Sequence, residues 1–156
     1  MRIIFSAVVL LFATTVIGAG ASDKSDITKI TLERTPCYGA CPVYKLTIHR
    51  SGKVEYEGKD HVRQKGSRSG TISTEDFEKL LRKIYEINFF NLSERYDGKN
   101  PDGSGVTITD LPTRKTSVTR GNRTKTVENY FRGPKGLNEL EDLIDELTKS
   151  AAWIRG

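Results

Sequence analysis

Apolar and polar residues alternate along several segments of the chain with the period of two that is typical of half-buried β-strands. The clearest alternation covers residues 44–48, and it resumes at residues 54–56 after the turn residues 50–53. These two segments predict a β-hairpin. Four further strands are predicted, over residues 27–33, 106–110, 114–120 and 123–130.

Alternation within the first strand places Ile27, Lys29 and Thr31 on the face opposite to Ile30 and Leu32. Residues 61–71 are polar and interrupted by glycines, which predicts an extended return segment. Residues 97–105 contain three glycines and a proline, so we expect a loop there.

Two segments show instead the apolar spacing of amphipathic helices. The first begins after Ser73, whose hydroxyl should accept a hydrogen bond from the N–H of Asp76, and it ends near residue 87. The second runs from about Gly136 to Lys149. Its acidic residues are expected to form a solvated face opposite the leucines; they are Glu139, Glu141, Asp142, Asp145 and Glu146.

The order of these elements is strands, helix, strands, helix. It predicts an α+β fold, with an antiparallel sheet of about six to seven strands and two amphipathic helices on one face. The halves of the chain share this arrangement without a detectable sequence repeat.

The N-terminus has the features of a signal peptide, because a single Arg2 precedes an apolar run and small residues end at Ala21. The run, residues 3–17, is shorter than the roughly 20 residues that cross a bilayer. We therefore predict a cleaved signal peptide over residues 1–21, a polar spacer over residues 22–26, a single domain over residues 27–156, and no stable membrane span after cleavage. Export to the periplasm or beyond is expected.

The charge balance is mildly basic, with 25 basic residues, of which Arg2 lies in the leader, against 20 acidic residues. A nucleic-acid-binding surface needs a concentrated basic excess, commonly with interleaved aromatic side chains. Neither pattern is present here, so nucleic acid is not expected as a partner.

Cys37 and Cys41 are the only cysteines, and three interpretations of them can be compared. A disulfide needs Cα atoms within about 7 Å, whereas four extended residues span about 13 Å, so the backbone must turn between them, which Gly39 permits. A redox-active or copper-handling dithiol would use a helix N-terminus to lower a thiol pKa, but a strand pattern follows Cys41. A metal site with His49 or His61 would have a nonstandard spacing. A structural disulfide is the favoured interpretation.

Several short motifs together resemble a bacterial family of exported domains of unknown function. They are the string TPCYGACPVYKLTI at residues 35–48, GKVEYEG at 52–58, TDLPT at 109–113 and KTV at 125–127. The resemblance covers nearly the whole chain after the leader. It implies a single bacterial extracytoplasmic domain and brings no assigned activity.

A possible anion-binding stripe is formed by residues at alternate positions, which would share one side of an extended strand. Its members are Lys59, His61, Arg63 and Lys65, and Arg68 could widen it. The alternative interpretation is a charged outer face or a protected edge strand.

We find no catalytic residues, no metal site and no need for a cofactor. The sequence is therefore interpreted as a non-enzymatic, exported binding or structural module of the cell envelope, whose partner would be an anionic envelope component or an envelope protein. The leading alternative is an extracytoplasmic thiol-redox or copper-handling protein that uses the cysteine pair. A poorer one is a small hydrolase with Ser51 and His49.

Overall fold

The computed structural model describes residues 26–100 and 102–155. The predicted signal peptide and residues 22–25 of the predicted spacer lie outside the described residues. The described strands are β1 (Ile27–Arg34), β2 (Val43–His49), β3 (Lys53–Asp60), β4 (Gly66–Thr71), β5 (Arg95–Asp97), β6 (Arg114–Arg120) and β7 (Arg123–Phe131). The described α-helices are α1 (Thr74–Glu86), α2 (Lys135–Thr148) and α3 (Ala151–Ile154).

The seven strands form one sheet in the order β4-β3-β2-β1-β6-β7-β5. Neighbouring strands pair antiparallel except β5, which runs parallel to β7. The predicted α+β fold, with its strand number and its two longer helices on one face, is confirmed. The sheet is mixed rather than purely antiparallel because the short β5 pairs parallel with β7.

The first strand contains a bulge that changes the direction of one core side chain. Ile27, Ile30 and Leu32 are all fully buried, although strict alternation places Ile27 on the opposite face. The pairing of β1 with β6 shifts register between Ile27 and Lys29. Because a bulge inserts one extra residue, it turns Ile27 to the core side. The predicted orientation of Ile27 is therefore wrong.

The helices begin and end close to their predicted limits. Ser73 caps α1, and its hydroxyl accepts a hydrogen bond from the Asp76 N–H at 3.1 Å. The apolar faces of α1 and α2 pack against the sheet in one hydrophobic core. Its helical members are Phe77, Leu80, Leu81, Ile84, Leu137, Leu140 and Ile144.

A short C-terminal helix, α3, covers the β3–β4 end of the core and was not predicted. The Trp153 ring lies 5.0 Å from the Tyr56 ring, centroid to centroid. An added Cβ at Gly70 would lie 3.2 Å from the Trp153 ring. The N–H groups of Arg63 and Gln64 donate to the carbonyls of Ile154 and Trp153 at 3.1 and 2.9 Å. Two backbone hydrogen bonds therefore connect α3 to the β3–β4 connection.

The predicted strand at residues 106–110 is wrong, because this segment is irregular. The carbonyl of Ile108 accepts a hydrogen bond from the Tyr130 hydroxyl at 2.7 Å, and the Leu111 N–H donates to the same hydroxyl at 3.3 Å. The segment is thus held by isolated hydrogen bonds to Tyr130 and to the backbone of other loops rather than by a strand ladder.

The sheet face that does not carry the helices has a row of charges that alternate in sign from strand to strand. Glu57 lies opposite Lys45, which lies opposite Glu33. Glu33 also lies opposite Lys115, and Lys115 lies opposite Glu128. Opposite charges on facing residues each contribute about 0.2–1 kcal/mol to pairing. We call these five residues the charge row.

Candidate functional site

A disulfide ring occupies the connection between β1 and β2. Cys37 and Cys41 are bonded, and their Cα atoms are 5.8 Å apart. The backbone turns between them at Gly39, which has a φ of 150° and whose N–H donates to the Cys37 carbonyl at 2.9 Å. The predicted disulfide and the predicted turn are both confirmed. Cys41 leads through Pro42 into a strand, not into a helix.

The ring is clamped to the segment that precedes β6. The Thr35 N–H donates to the Thr113 carbonyl at 3.0 Å, and the Thr113 N–H donates to the Thr35 hydroxyl at 2.9 Å. The Tyr38 N–H donates to the Asp110 carbonyl at 3.3 Å. Three hydrogen bonds and one disulfide therefore restrict the backbone of the ring and of the residues beside it.

Exposed apolar side chains are concentrated on the ring and its clamp. The Tyr38 side chain projects from the ring with 90% of its residue surface exposed, and Leu111 on the clamp is 39% exposed. The third large hydrophobic residue that is exposed in the described part of the chain is Val106, in the same connection as Leu111. We call Tyr38 and Leu111 the ring surface.

A polar cluster lies at the inner end of the ring, where β1 and β2 meet α2. The Arg34 guanidinium donates to the Tyr44 hydroxyl at 2.7 Å and also to the Asp145 carboxylate. Tyr44 and Ser150 each donate to the other oxygen of that carboxylate, Oδ1, at 2.7 Å. Burial, with the Asp145 charge, raises the pKa of the Tyr44 hydroxyl. Tyr44 therefore stays protonated and can keep donating to Asp145.

A second polar cluster surrounds Glu141, which is fully buried. Its carboxylate lies 3.0 Å from Arg114 Nε and accepts hydrogen bonds from Asn129 at 2.8 Å and from Thr116 at 3.2 Å. Burial raises the pKa of the Glu141 carboxyl, and the charge of Arg114 opposes this only in part. Asn138 accepts hydrogen bonds from both Arg114 and Asn129.

These two clusters connect α2 to four strands and pair each carboxylate with an arginine. A buried charge is tolerated only when it is paired and hydrogen-bonded, and both carboxylates meet that condition. The Ser150 hydroxyl is engaged with Asp145 as a donor, and the second cluster contains amides and a threonine. The arrangement is suited to fixing α2 on the sheet.

Sequence patterns did not reveal this role, and the predicted solvated face of α2 is wrong for two of its members. Glu141 is fully buried, and the Asp145 side chain is only 20% exposed. The available signal was the helical spacing of Asn138, Glu141 and Asp145, which places them together beside the leucines. Arg34 and Arg114, which face each other on neighbouring strands, supply the opposite charge.

The residues of the predicted basic stripe do not share one strand face. Lys59 lies in β3, but residues 61–65 form the turn to β4, with His61 at a φ of 49°. Strand alternation therefore does not apply to them, and this premise is wrong. Lys59 lies 3.8 Å from Glu33, while His61 and Lys65 lie 3.1 and 2.9 Å from Asp60. Arg68 in β4 donates to Gln64 and to the Ser67 carbonyl. Anion binding by these residues stays a prediction.

The remaining candidate residues, His49 and Ser51, lie in or next to the β2–β3 turn. His49 Nε2 lies 3.2 Å from a Glu55 carboxylate oxygen, and the Ser51 hydroxyl accepts a hydrogen bond from the Lys53 N–H at 3.5 Å. Within residues 26–100 and 102–155, no three histidine, cysteine or acidic side chains are close enough to hold a metal ion. Over the same residues, no helix has the length and apolar character needed to cross a membrane.

Comparison with known proteins identifies a family but no activity. No curated protein matches the chain significantly. The sequence profile of the family described as Domain of unknown function (DUF6438) matches residues 28–148. That match includes the disulfide ring, its clamp and both polar clusters except Ser150. The chain therefore belongs to the DUF6438 family of domains of unknown function.

Proposed function

We propose that this protein is a non-enzymatic binding module of the bacterial cell envelope and that it contacts a protein partner through its ring surface. Location in the envelope is supported by the signal-peptide features of residues 1–21 and by the disulfide, since disulfides persist in oxidising compartments such as the periplasm. In this function the disulfide ring is structural, and it presents the Tyr38 side chain to the partner.

The observation that carries the proposal is the Tyr38 side chain, which is 90% exposed on a clamped five-residue ring. Tyrosine is enriched among the residues that contribute most to protein interfaces, because its ring buries a large area and its hydroxyl can hydrogen bond. A backbone that is already restricted by a disulfide and hydrogen bonds loses less entropy on binding. A rigid ring with an exposed tyrosine therefore suits a docking anchor.

Two alternative functions, binding of an anionic polymer and thiol-redox chemistry, are supported less well. An anionic polymer would need unpaired positive charge, whereas Lys59 and Lys65 are each near a carboxylate. A thiol-redox role would need a lowered thiol pKa, but Cys41 leads into β2 and lacks the helix N-terminus that lowers such a pKa. A protein partner that buries Tyr38 fits the exposed apolar surface better.

Photocrosslinking in the native host cells tests this proposal. A photoreactive phenylalanine analogue at position 38 is expected to give a discrete adduct with one envelope protein. The matched control carries the same analogue at Glu86, whose side chain is 67% exposed on α1. Leu111→Ala is expected to reduce the adduct from position 38, because it removes the neighbouring part of the ring surface.

Equal adduct patterns from positions 38 and 86 would refute a docking role for the ring. Thiol labelling of protein from a periplasmic extract tests the location separately. Full labelling of Cys37 and Cys41 before reduction would contradict an oxidised, exported form.

A further inference from the structure

The free edge of β4 lies at the opposite end of the sheet from β5 and is separate from the ring surface. β4 is an edge strand of the sheet and is six residues long. Exposed edges are commonly guarded by proline, lysine or inward-pointing charge. The β4 sequence GSRSGT contains no proline and no lysine, and Arg68 is its only charged residue. Five of its six residues are exposed.

The backbone groups that β4 presents can be assigned from its pairing with β3. The Ile72 N–H donates to the Gly52 carbonyl at 2.9 Å, directly beyond the end of β4. Hydrogen-bonded pairs recur at every second residue in an antiparallel ladder, so Gly70 and Arg68 also bond to β3. The N–H and carbonyl groups of Ser67, Ser69 and Thr71 therefore point away from the sheet. The Ser67 carbonyl already accepts a hydrogen bond from the Arg68 side chain at 2.7 Å.

We propose that β4 pairs antiparallel with β4 of a second copy of this chain about a two-fold axis at Ser69. Ser69 then faces Ser69 of the second copy, and Ser67 faces Thr71. These residues are the ones with outward backbone groups, so the pairing forms about six inter-chain hydrogen bonds. The two sheets become one continuous sheet, and the helices of both copies lie on the same side of it.

Charge disfavours one of the two neighbouring registers that also use these outward backbone groups. An axis at Arg68 would set two arginines directly opposite each other, which is destabilising. An axis at Ser69 instead sets Arg68 opposite Gly70 of the second copy. Gly70 has no side chain, and Trp153 of its own chain packs beside it. The Arg68 guanidinium is thereby brought next to the Trp153 ring of the second copy, a favourable cation–π arrangement.

Sedimentation of the purified protein over a range of concentrations tests the pairing, and a reversible monomer–dimer equilibrium is expected. Ser69→Pro should give a monomer, because proline removes the outward N–H at the axis while the hydrogen bonds between β4 and β3 use the neighbouring residues. Ser69→Ala keeps the backbone groups and should still form a dimer. Fluorescence of Trp153, the only tryptophan, should change with concentration in the parent and in Ser69→Ala but not in Ser69→Pro.

Cysteine crosslinking tests the register and does not depend on how well the proline variant folds. Residues that face each other as a hydrogen-bonded pair have Cα atoms about 5.5 Å apart, within the range of a disulfide. Ser69→Cys is therefore expected to form an inter-chain disulfide severalfold faster than Arg68→Cys. Equal rates, a faster Arg68→Cys, or a parent protein that stays monomeric at every soluble concentration would overturn the proposal. A β4 edge that binds a strand of a different protein while the chain itself remains monomeric would overturn it as well.

Discussion

The Glu141 carboxylate connects a helix to two strands from a fully buried position. It lies within hydrogen-bonding distance of Arg114 on β6, Asn129 on β7 and Thr116 on β6. Each partner would be left with an unsatisfied polar group if the carboxylate were removed, and such a loss costs more than a single hydrogen bond contributes. The contribution of Glu141 to stability is therefore best measured by comparing its alanine variant with an alanine variant of an exposed residue on the same helix.

We predict that Glu141→Ala lowers the free energy of unfolding by roughly 3 kcal/mol, because it removes the fully buried acceptor shared by Arg114, Asn129 and Thr116. Urea denaturation measures the change. The control is Glu146→Ala on the same helix, where the side chain is exposed, and its effect should stay within about 0.5 kcal/mol. Similar losses in the two variants would contradict the structural role assigned to Glu141.

The dependence of stability on pH gives a second prediction for the same residue. The folded-state pKa of Glu141 is raised above the ordinary 4.5, so the folded state binds this proton more tightly than the unfolded state does. Its contribution to stability therefore increases as the pH falls through the folded pKa and is complete below 4.5.

Glu141→Gln removes this titration. The difference in unfolding free energy between the parent and this variant should shift toward the parent as the pH is lowered from neutrality to 4.5. A pH-independent difference would show that the carboxyl does not change its protonation on folding.

The longer elements were predictable because each has a local periodic signal, and the elements that were missed lack one. β2 and β3 alternate regularly over a tight turn, and α1 has both a cap and an apolar stripe. β5 has three residues, and only its distant partner β7 makes it a strand. α3 has four residues, too few for a periodicity to be seen.

The candidate site was predictable only where covalent geometry decides it. Two cysteines four positions apart, with a glycine between them, were sufficient to predict the ring. The clamp was not predictable, because it joins Thr35 to Thr113 across 78 residues. The burial of Asp145 likewise depends on Arg34, which is 111 residues away. Local patterns carry no information about such pairings.

The contact between α3 and the sheet gives a prediction about the C-terminal end of the fold. Trp153→Ala should lower the free energy of unfolding by about 2 kcal/mol, less than the 3–5 typical of a fully buried tryptophan because the ring is half-buried. Urea denaturation followed by circular dichroism measures it. The control is Tyr38→Ala, an aromatic deletion at an exposed position, which should change stability by less than about 0.5 kcal/mol.

Gly70→Val should also be destabilising, because a side chain at this position would meet the Trp153 ring. The pair should not be additive, since the Trp153→Ala change makes room for the valine. Full additivity in the double variant would mean that Trp153 does not pack on β4.

Lys59, His61 and Lys65 each lie near a carboxylate, and this changes the expectation for the basic segment at residues 59–65. Changing Lys59, Arg63 and Lys65 together to Gln should leave thermal stability nearly unchanged, because exposed ion pairs contribute little. Retention on an anionic matrix at low salt should fall only as much as the lost net charge requires.

The matched control changes Lys79, Arg82 and Lys135 together to Gln. It also removes two lysines that are near carboxylates and one exposed arginine. The two triple variants should elute at the same salt concentration. Clearly weaker retention of the 59–65 variant would restore the anion-binding patch as a functional surface.

The charge row also disfavours wrong strand orders in the sheet. Lysines stand on β2 and β6, and glutamates stand on β1, β3 and β7, so the two signs divide these strands into two groups. Every antiparallel neighbour relation among these strands joins one group to the other. Wrong neighbours from the same group, such as β1 beside β3 or β2 beside β6, would bring like charges together in the corresponding register. The row thus favours the observed strand order over orders that place two strands of the same sign side by side.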